Sequence, residues 1–274
     1  PPQKSHRGQK INKSPIQGIS EILNIDYRTP TTLKDNHQEY EFLKKLNADL
    51  SVVCAYGHII PKNFLKLTKK GFVNIHASIL PSWRGAAPIQ RSIMNLDSET
   101  GLSIMKMNEE LDSGPVSNTY KVKIDKNQNA QEISEKLSAL AAEKILDNVD
   151  DILEDKAKFI DQDHSKATYA KKIRKEESQI DWNDDASKII GKINGLSPFP
   201  GVFFSFDGER YKILRAVISN GSGQVGEVIS NQLEIACNNN KSIKILEIQR
   251  QGKRSQKINE FMLGSKIKKG LNLL

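Results

Sequence analysis

Phe72-Val73-Asn74-Ile75-His76-Ala77-Ser78-Ile79-Leu80-Pro81 begins as a strand and ends as a turn. The aromatic and β-branched residues of its first half suit a pleated, buried run, and Pro81 cannot continue one. An earlier run, Ala48 to Tyr56, has the same character, and a Lys-rich amphipathic piece around Phe64 to Lys70 lies between the two. Two strands with helical connections predict a parallel α/β sheet. Downstream, residues 86–95 read as a helix with Pro88 in the first turn, where a missing N–H costs least. Leu102 to Met107 and Val116 to Ile124 alternate as strands do. Asn129 and Glu132 then have capping-box spacing, followed by Ile133, Leu137, Leu140, Ala141, Val149 and Leu153 at helical spacing. Residues 20–155 read as one α/β domain.

The segment 161–177 carries Lys166, Lys171, Lys172, Arg174 and Lys175 with little apolar periodicity, so it reads as a basic linker. A helix near Asp185 to Asn194 follows, stopped by Ser197-Pro198-Phe199-Pro200-Gly201. Five short runs come next: Val202 to Phe206, Tyr211 to Val217, Gln224 to Ile229, Leu233 to Ala236 and Ile243 to Ile248. Short strands at regular spacing predict a small barrel or sandwich, an oligonucleotide-binding type of barrel among them.

The chain has 274 residues, long enough for two domains. Lys plus Arg number 41 against 33 Asp plus Glu, a net charge of +8, which favours a polyanionic partner. Cys54 and Cys237 stand far apart with no CxxC spacing, as expected in a reducing compartment. No stretch approaches the roughly 18 consecutive apolar residues of a membrane-spanning helix. The five histidines, His6, His37, His58, His76 and His164, show no ligand spacing, so no metal is expected. The chain opens on Pro1-Pro2, read as a processed product or a fragment. Residues 1–18 carry Arg7, Lys10 and other basic residues with no acid before Glu21, a composition that by itself suits a solvated tail.

Asn74 and His76, two apart on a strand, leave the same face. Ser78, Ile79, Leu80 and Pro81 follow at the carboxyl end of that strand, where open α/β sheets place ligands. Asp112 lies in the turn Leu111-Asp112-Ser113-Gly114-Pro115. Taken singly, each has a bland account: a structural strand-end histidine, a strand-ending turn, a turn-forming aspartate. Tyr56-Gly57 reads equally well as a core tyrosine beside a turn glycine.

The longer string Phe72 to Arg91, with Trp83-Arg84-Gly85-Ala86-Ala87-Pro88-Ile89-Gln90-Arg91 at its end, closely resembles the signature of the methionyl-tRNA formyltransferase family. So does Glu99 to Met107 with Leu111-Asp112-Ser113-Gly114. The likeness continues through Ala167 to Ile173, Ile180-Asp181-Trp182, Pro198 to Gly201, Lys212 to Ala216 and Gln251 to Arg254, nearly the whole chain. Folate-dependent formyltransferases share the Asn, the His, the turn and the later Asp; Ala86 to Arg91 marks the tRNA branch. Two departures stand out. The family's opening strand, helix and second strand are absent, and Ile79 replaces the usual Leu, a swap of similar volume.

The resemblance implies a Rossmann-like formyltransferase domain, incomplete at its start, over 1–160. A basic linker over 161–177 and a small OB-fold-like, tRNA-binding β-barrel domain over 178–274 would follow. It implies transfer of a formyl group from 10-formyltetrahydrofolate to the α-amino group of methionyl-tRNA, by a monomer without metal or membrane. Asn74, His76 and Asp112 would be catalytic, and Ser78, Ile79, Leu80, Pro81, Tyr56 and Gly57 would bind the folate. Arg7, Lys10, Lys171, Lys172 and Arg174 would contact tRNA phosphates, residues 1–17 then being a basic loop rather than a tail. The expected location is a bacterial cytoplasm, with an organelle matrix as the other candidate. Two alternatives stand beside this reading: a formyltransferase of the same superfamily acting on a sugar nucleotide or other amine, and an inactive tRNA-binding remnant.

Overall fold

The structure is a computed structural model; it describes residues 3–5 and 10–274, with side chains from Asn12 onward. Two compact units result, Pro1–Phe72 and Val73–Leu274.

In the first unit, β1 (Gln3–Ser5) and β2 (Lys10–Asn12) pair antiparallel. Helix α1 (Pro15–Ile22) starts where the Ser14 hydroxyl accepts the Gln17 N–H at 3.1 Å. Helix α2 (His37–Leu46) is capped likewise by Asn36, which accepts the Glu39 N–H at 3.1 Å, and ends at Asn47 in the left-handed region. Arg28 forks onto Glu39 at 2.7 and 2.6 Å and covers the Phe42 ring. Strand β3 (Ser51–Cys54) lies inside the anticipated 48–56 run. The Lys-rich connection condenses to a single 3₁₀ turn, Phe64–Lys66, because so short a piece cannot offset the cost of helix nucleation.

The second unit begins at Val73 within β4 (Phe72–His76), followed by β5 (Arg84–Gly85), α3 (Pro88–Met94), β6 (Glu99–Lys106) and β7 (Val116–Lys123). In this unit β6 runs antiparallel to β4, with His76 opposite Ser103, and β7 antiparallel to β6. Helix α4 (Ala130–Leu153) carries the anticipated capping box: Asn129 accepts the Glu132 N–H at 3.0 Å, and Glu132 accepts the Asn129 N–H at 2.8 Å. Ile93, Leu102, Ala130, Ile133 and Leu137 form the core shared by α3, β6 and α4.

The segment 161–177 is built into the structure. Within it β8 (Tyr169–Ala170) pairs in parallel with β5, Arg84 opposite Tyr169. Helix α5 (Ala186–Leu196) then lies against α3; a Cβ on Gly195 would come 2.6 Å from Met94 Cγ and 2.9 Å from the Gln90 carbonyl, so only glycine permits this approach. Strands β9 (Val202–Phe206), β10 (Glu209–Ser219), β11 (Glu234–Ala236), β12 (Ser242–Arg250) and β13 (Ser255–Lys257) form an antiparallel sheet ordered β11-β12-β10-β9, with β13 added on β12. Irregular register between Ile213 and Ala216 gives the sheet its curl, the form in which the expected small β-domain occurs. Helix α6 (Ile258–Leu263) closes one end. The core runs through Ile189, Ile193, Leu196, Val202, Ile213, Ile243 and Ile245, with Trp182, Phe204, Tyr211 and Phe261 in successive ring contact. Residues 224–229 form no ladder strand, only isolated bridges from Glu227 and Val228, because Gly226 takes a positive φ of 81° there. β13 and α6, three and six residues long, carry too little pattern to read from sequence.

Candidate active site

The carboxyl end of β4 brings the first two candidate residues together. His76 is buried; Asn74 is half-buried and, two residues earlier, leaves the same face. His76 Nε2 lies 2.9 Å from the Trp83 carbonyl oxygen. A carbonyl can only accept, so Nε2 carries the proton of that bond and Nδ1 is the free edge of the ring. Nδ1 faces Asp112 Oδ2 at 3.7 Å. The same Oδ2 accepts the Gly85 N–H at 2.8 Å. Asp112 itself sits in the left-handed region at φ 48°, and Trp83 does so at 62°. Such backbone persists only where its surroundings enforce it. For Trp83 these are the Thr168 hydroxyl, which accepts its N–H at 2.9 Å, and Asp97, which accepts the indole N–H at 2.7 Å.

Behind Asp112 stands a buried polar relay that sequence reasoning missed. Arg84, 3% exposed, donates through Nε and Nη2 to Gln162 Oε1 at 3.1 and 2.7 Å. The Gln162 amide donates in turn to the carbonyls of Asp112 and Gly114, at 2.9 and 2.7 Å. Arg84 stood inside the quoted string, a signal that was present. Gln162 fell in the stretch read as linker.

The turn Ser78, Ile79, Leu80, Pro81 is held from below. Ser103, fully buried on β6, donates to the Ser78 carbonyl at 2.8 Å and accepts the Leu80 N–H at 3.1 Å. Ser78 is itself fully buried and its hydroxyl donates to the Ser82 carbonyl at 2.6 Å, so it shapes the turn. Leu80 is buried, Ile79 and Pro81 half-buried, and the Leu80–Pro81 peptide is cis. Tyr56 and Gly57 belong to the first unit, where Tyr56 is exposed and its ring lies 5.5 Å from that of His58.

Of the candidate phosphate contacts, Arg7 lies outside the described residues, and Lys10 is described only as backbone of β2. Lys171, Lys172 and Arg174 are exposed and line a cavity of about 460 Å³ with Arg91, Tyr169 and Glu177. Arg91 organises that wall. It donates to both Glu177 carboxylate oxygens, at 2.5 and 3.0 Å, and to the carbonyls of Lys171 and Lys172, at 3.0 and 3.4 Å. These bonds, aided by the Arg174 N–H at 2.8 Å, hold the Glu177 carboxyl below its usual range despite partial burial. Among the described residues no three His, Cys, Asp or Glu side chains are grouped to hold a metal, and no helix is long and apolar enough to cross a membrane.

Residues 3–149 match the family model described as "Formyl transferase", and residues 172–266 the one described as "Formyl transferase, C-terminal domain". These matches define a formyltransferase. The fold also matches the solved structure of WlaRD, a sugar 3N-formyl transferase crystallised with dTDP and 5-N-formyl-THF, at a TM-score of 0.67, 19% identity, and coverage of 88% of this chain and 83% of that one. A methionyl-tRNA formyltransferase from Clostridium thermocellum matches at a TM-score of 0.56 and 24% identity, over 68% of this chain and 80% of that one. In sequence, the methionyl-tRNA formyltransferase of Pelagibacter ubique is 66% identical over 98% of this chain and 87% of its own length. That of Chelativorans sp. is 40% identical over 97% and 86%. The chain belongs to the methionyl-tRNA formyltransferase family.

Proposed function

We propose that this chain transfers a formyl group from 10-formyltetrahydrofolate to the α-amino group of methionyl-tRNA. The observation that carries the reading is the approach of Asp112 to the Nδ1 edge of His76 at 3.7 Å, at the carboxyl end of the strand that also carries Asn74.

An α-amino group titrates near 7.7–8.0, so a useful fraction is already nucleophilic at neutral pH. The chain's residues therefore need to stabilise charge and take up a proton. As the amine nitrogen bonds to the formyl carbon, negative charge develops on the formyl oxygen. The Asn74 side-chain N–H donates to it, with His76 as the second polar group of the strand end that faces it. Asp112 accepts the proton lost by the attacking nitrogen. The bond from the formyl carbon to the donor nitrogen then breaks, and that nitrogen takes up the proton held by Asp112. Losing one donor of this kind typically costs about 10²- to 10³-fold in rate.

The turn from Ser78 to Pro81 forms part of the wall for the formyl donor. Lys171, Lys172 and Arg174, with Arg7 and Lys10 from the basic amino-terminal segment, contact tRNA phosphates. The chain works as a monomer in a bacterial cytoplasm, without a metal.

Single-turnover formylation of methionyl-tRNA by the purified chain tests this reading. Formylation that collapses in Asn74→Ala and in Asp112→Ala is the expected result. Unchanged turnover in either variant removes the assigned roles, and tRNA binding without turnover by the wild type reassigns the chain as a binding protein.

A further inference from the structure

We propose that Gln162 is a positioning residue for the formyl transfer: it transmits the anchorage of Arg84 to the turn that carries Asp112. The inference rests on the formyl-transfer reading above. A carboxamide offers two donors and two acceptor sites. At Gln162, which is 8% exposed, all four are spent within the protein: two guanidinium N–H groups on Oε1, and the Asp112 and Gly114 carbonyls on Nε2. Only this orientation works, because a flipped amide would set its oxygen against two carbonyl oxygens and its NH₂ against a guanidinium.

The relay completes a grip on Asp112 from two consecutive residues. Gly85 takes the carboxylate through its N–H at 2.8 Å, and Arg84, through Gln162, takes the backbone carbonyl. Within the turn, Ser113 Oγ donates to Asn108 Oδ1 at 3.0 Å, and the Glu110 N–H to the same oxygen at 3.1 Å. With Asp112 at φ 48° and the preceding Leu111 62% exposed, the tie through Gln162 joins the turn to β5 and sets where the carboxylate stands relative to His76 Nδ1. A glutamine is specified over a glutamate, since a carboxylate would pair well with Arg84 and yet repel both carbonyls.

That contrast supplies the test. Steady-state formylation of methionyl-tRNA is compared for the full wild-type chain, Gln162→Glu and Gln162→Met, alongside thermal unfolding. Gln162→Glu keeps the length and the Arg84 partner and replaces the two donors with an oxygen that repels the Asp112 and Gly114 carbonyls. It is expected to lower kcat about 10- to 100-fold with KM for both substrates within about twofold and a melting temperature near that of the wild type. Gln162→Met should lower kcat as much. Wild-type kcat in folded Gln162→Glu overturns the assignment. So does a fall that only follows the folded fraction, or loss of folding in both variants. A wild type that does not formylate overturns the functional reading and this one with it, whereas an active wild type with unaltered variants overturns the positioning role alone.

Discussion

The backbone N–H of Gly85 and the carboxylate of Asp112 meet at 2.8 Å across 27 residues of sequence. Gly85 can stand there because it takes φ 118° and because a Cβ in its place would lie 2.9 Å from the Ala170 carbonyl oxygen of β8. Gly85→Ala therefore combines backbone strain with a backbone clash, a cost of about 1–3 kcal/mol. At about 2–4 °C per kcal/mol for a chain of this size, calorimetry should show a melting temperature lowered by several degrees. A melting curve unchanged from wild type would contradict the geometry.

Ser103 supports the proposed donor-binding turn with a single hydroxyl that both donates to Ser78 and accepts from Leu80. Ser103→Ala leaves a buried carbonyl and a buried N–H without that partner, at about 1–3 kcal/mol. The expected outcome is a raised KM for the formyl donor with a smaller change in KM for the tRNA. Equal changes in both would place the turn away from the donor.

The Arg91–Glu177 pair makes acid stability a local property. Hydrogen bonds from Arg91 lower the Glu177 pKa in the folded state, so the folded chain binds that proton less readily than the unfolded chain. The resulting stability is fully present above about pH 4.3 and is lost as pH falls through the depressed folded value. Arg91→Ala should cost about 1–2 kcal/mol at neutral pH and flatten the acid limb of a stability profile. Denaturant melts at pH 3 to 7 measure both; parallel curves for the two proteins would show that the pair contributes nothing.

Lys171 and Lys172 have their backbone carbonyls tied by Arg91 and their side chains exposed. If each contacts one phosphate, replacing it by Ala should reduce the slope of log affinity for tRNA against log salt by about 0.7 to 0.9. Filter binding over a range of salt concentrations measures this. A slope equal to that of wild type would assign the two lysines to solvent.

The cysteines should separate by reactivity. Cys237 is buried in the carboxyl-terminal core, and burial raises its thiol to about 11, whereas Cys54 is exposed. A thiol reagent at pH 8 should titrate one group in the native chain and two after denaturation. Rapid reaction of both in the native chain would show that the core opens.

Which elements the sequence makes legible follows from the range of the interactions that form them. The α4 start is written in Asn129 and Glu132, three residues apart, and β4 and β9 in short runs whose own side chains favour a pleated, buried backbone. Pro88 marks the first turn of α3 for the same local reason. Asn74 and His76 could be placed on one face because strand alternation is a two-residue rule, and the string around them carried the family resemblance with Asp112 in it. Local chemistry could not say that β6 returns antiparallel to β4, that β5 finds β8 about 85 residues away, or that Gly195 lets α5 approach α3. Nor could it take Gln162 out of a basic stretch without periodicity, since what gives that residue meaning is Arg84 on one side and the Asp112 turn on the other, 78 and 50 residues distant. By itself the sequence determined the local elements, the residues proposed for formyl transfer and the family; the tertiary structure alone decided how Asp112 is held, because hydrogen bonds between distant segments exist only once packing has brought their partners together and excluded water from them.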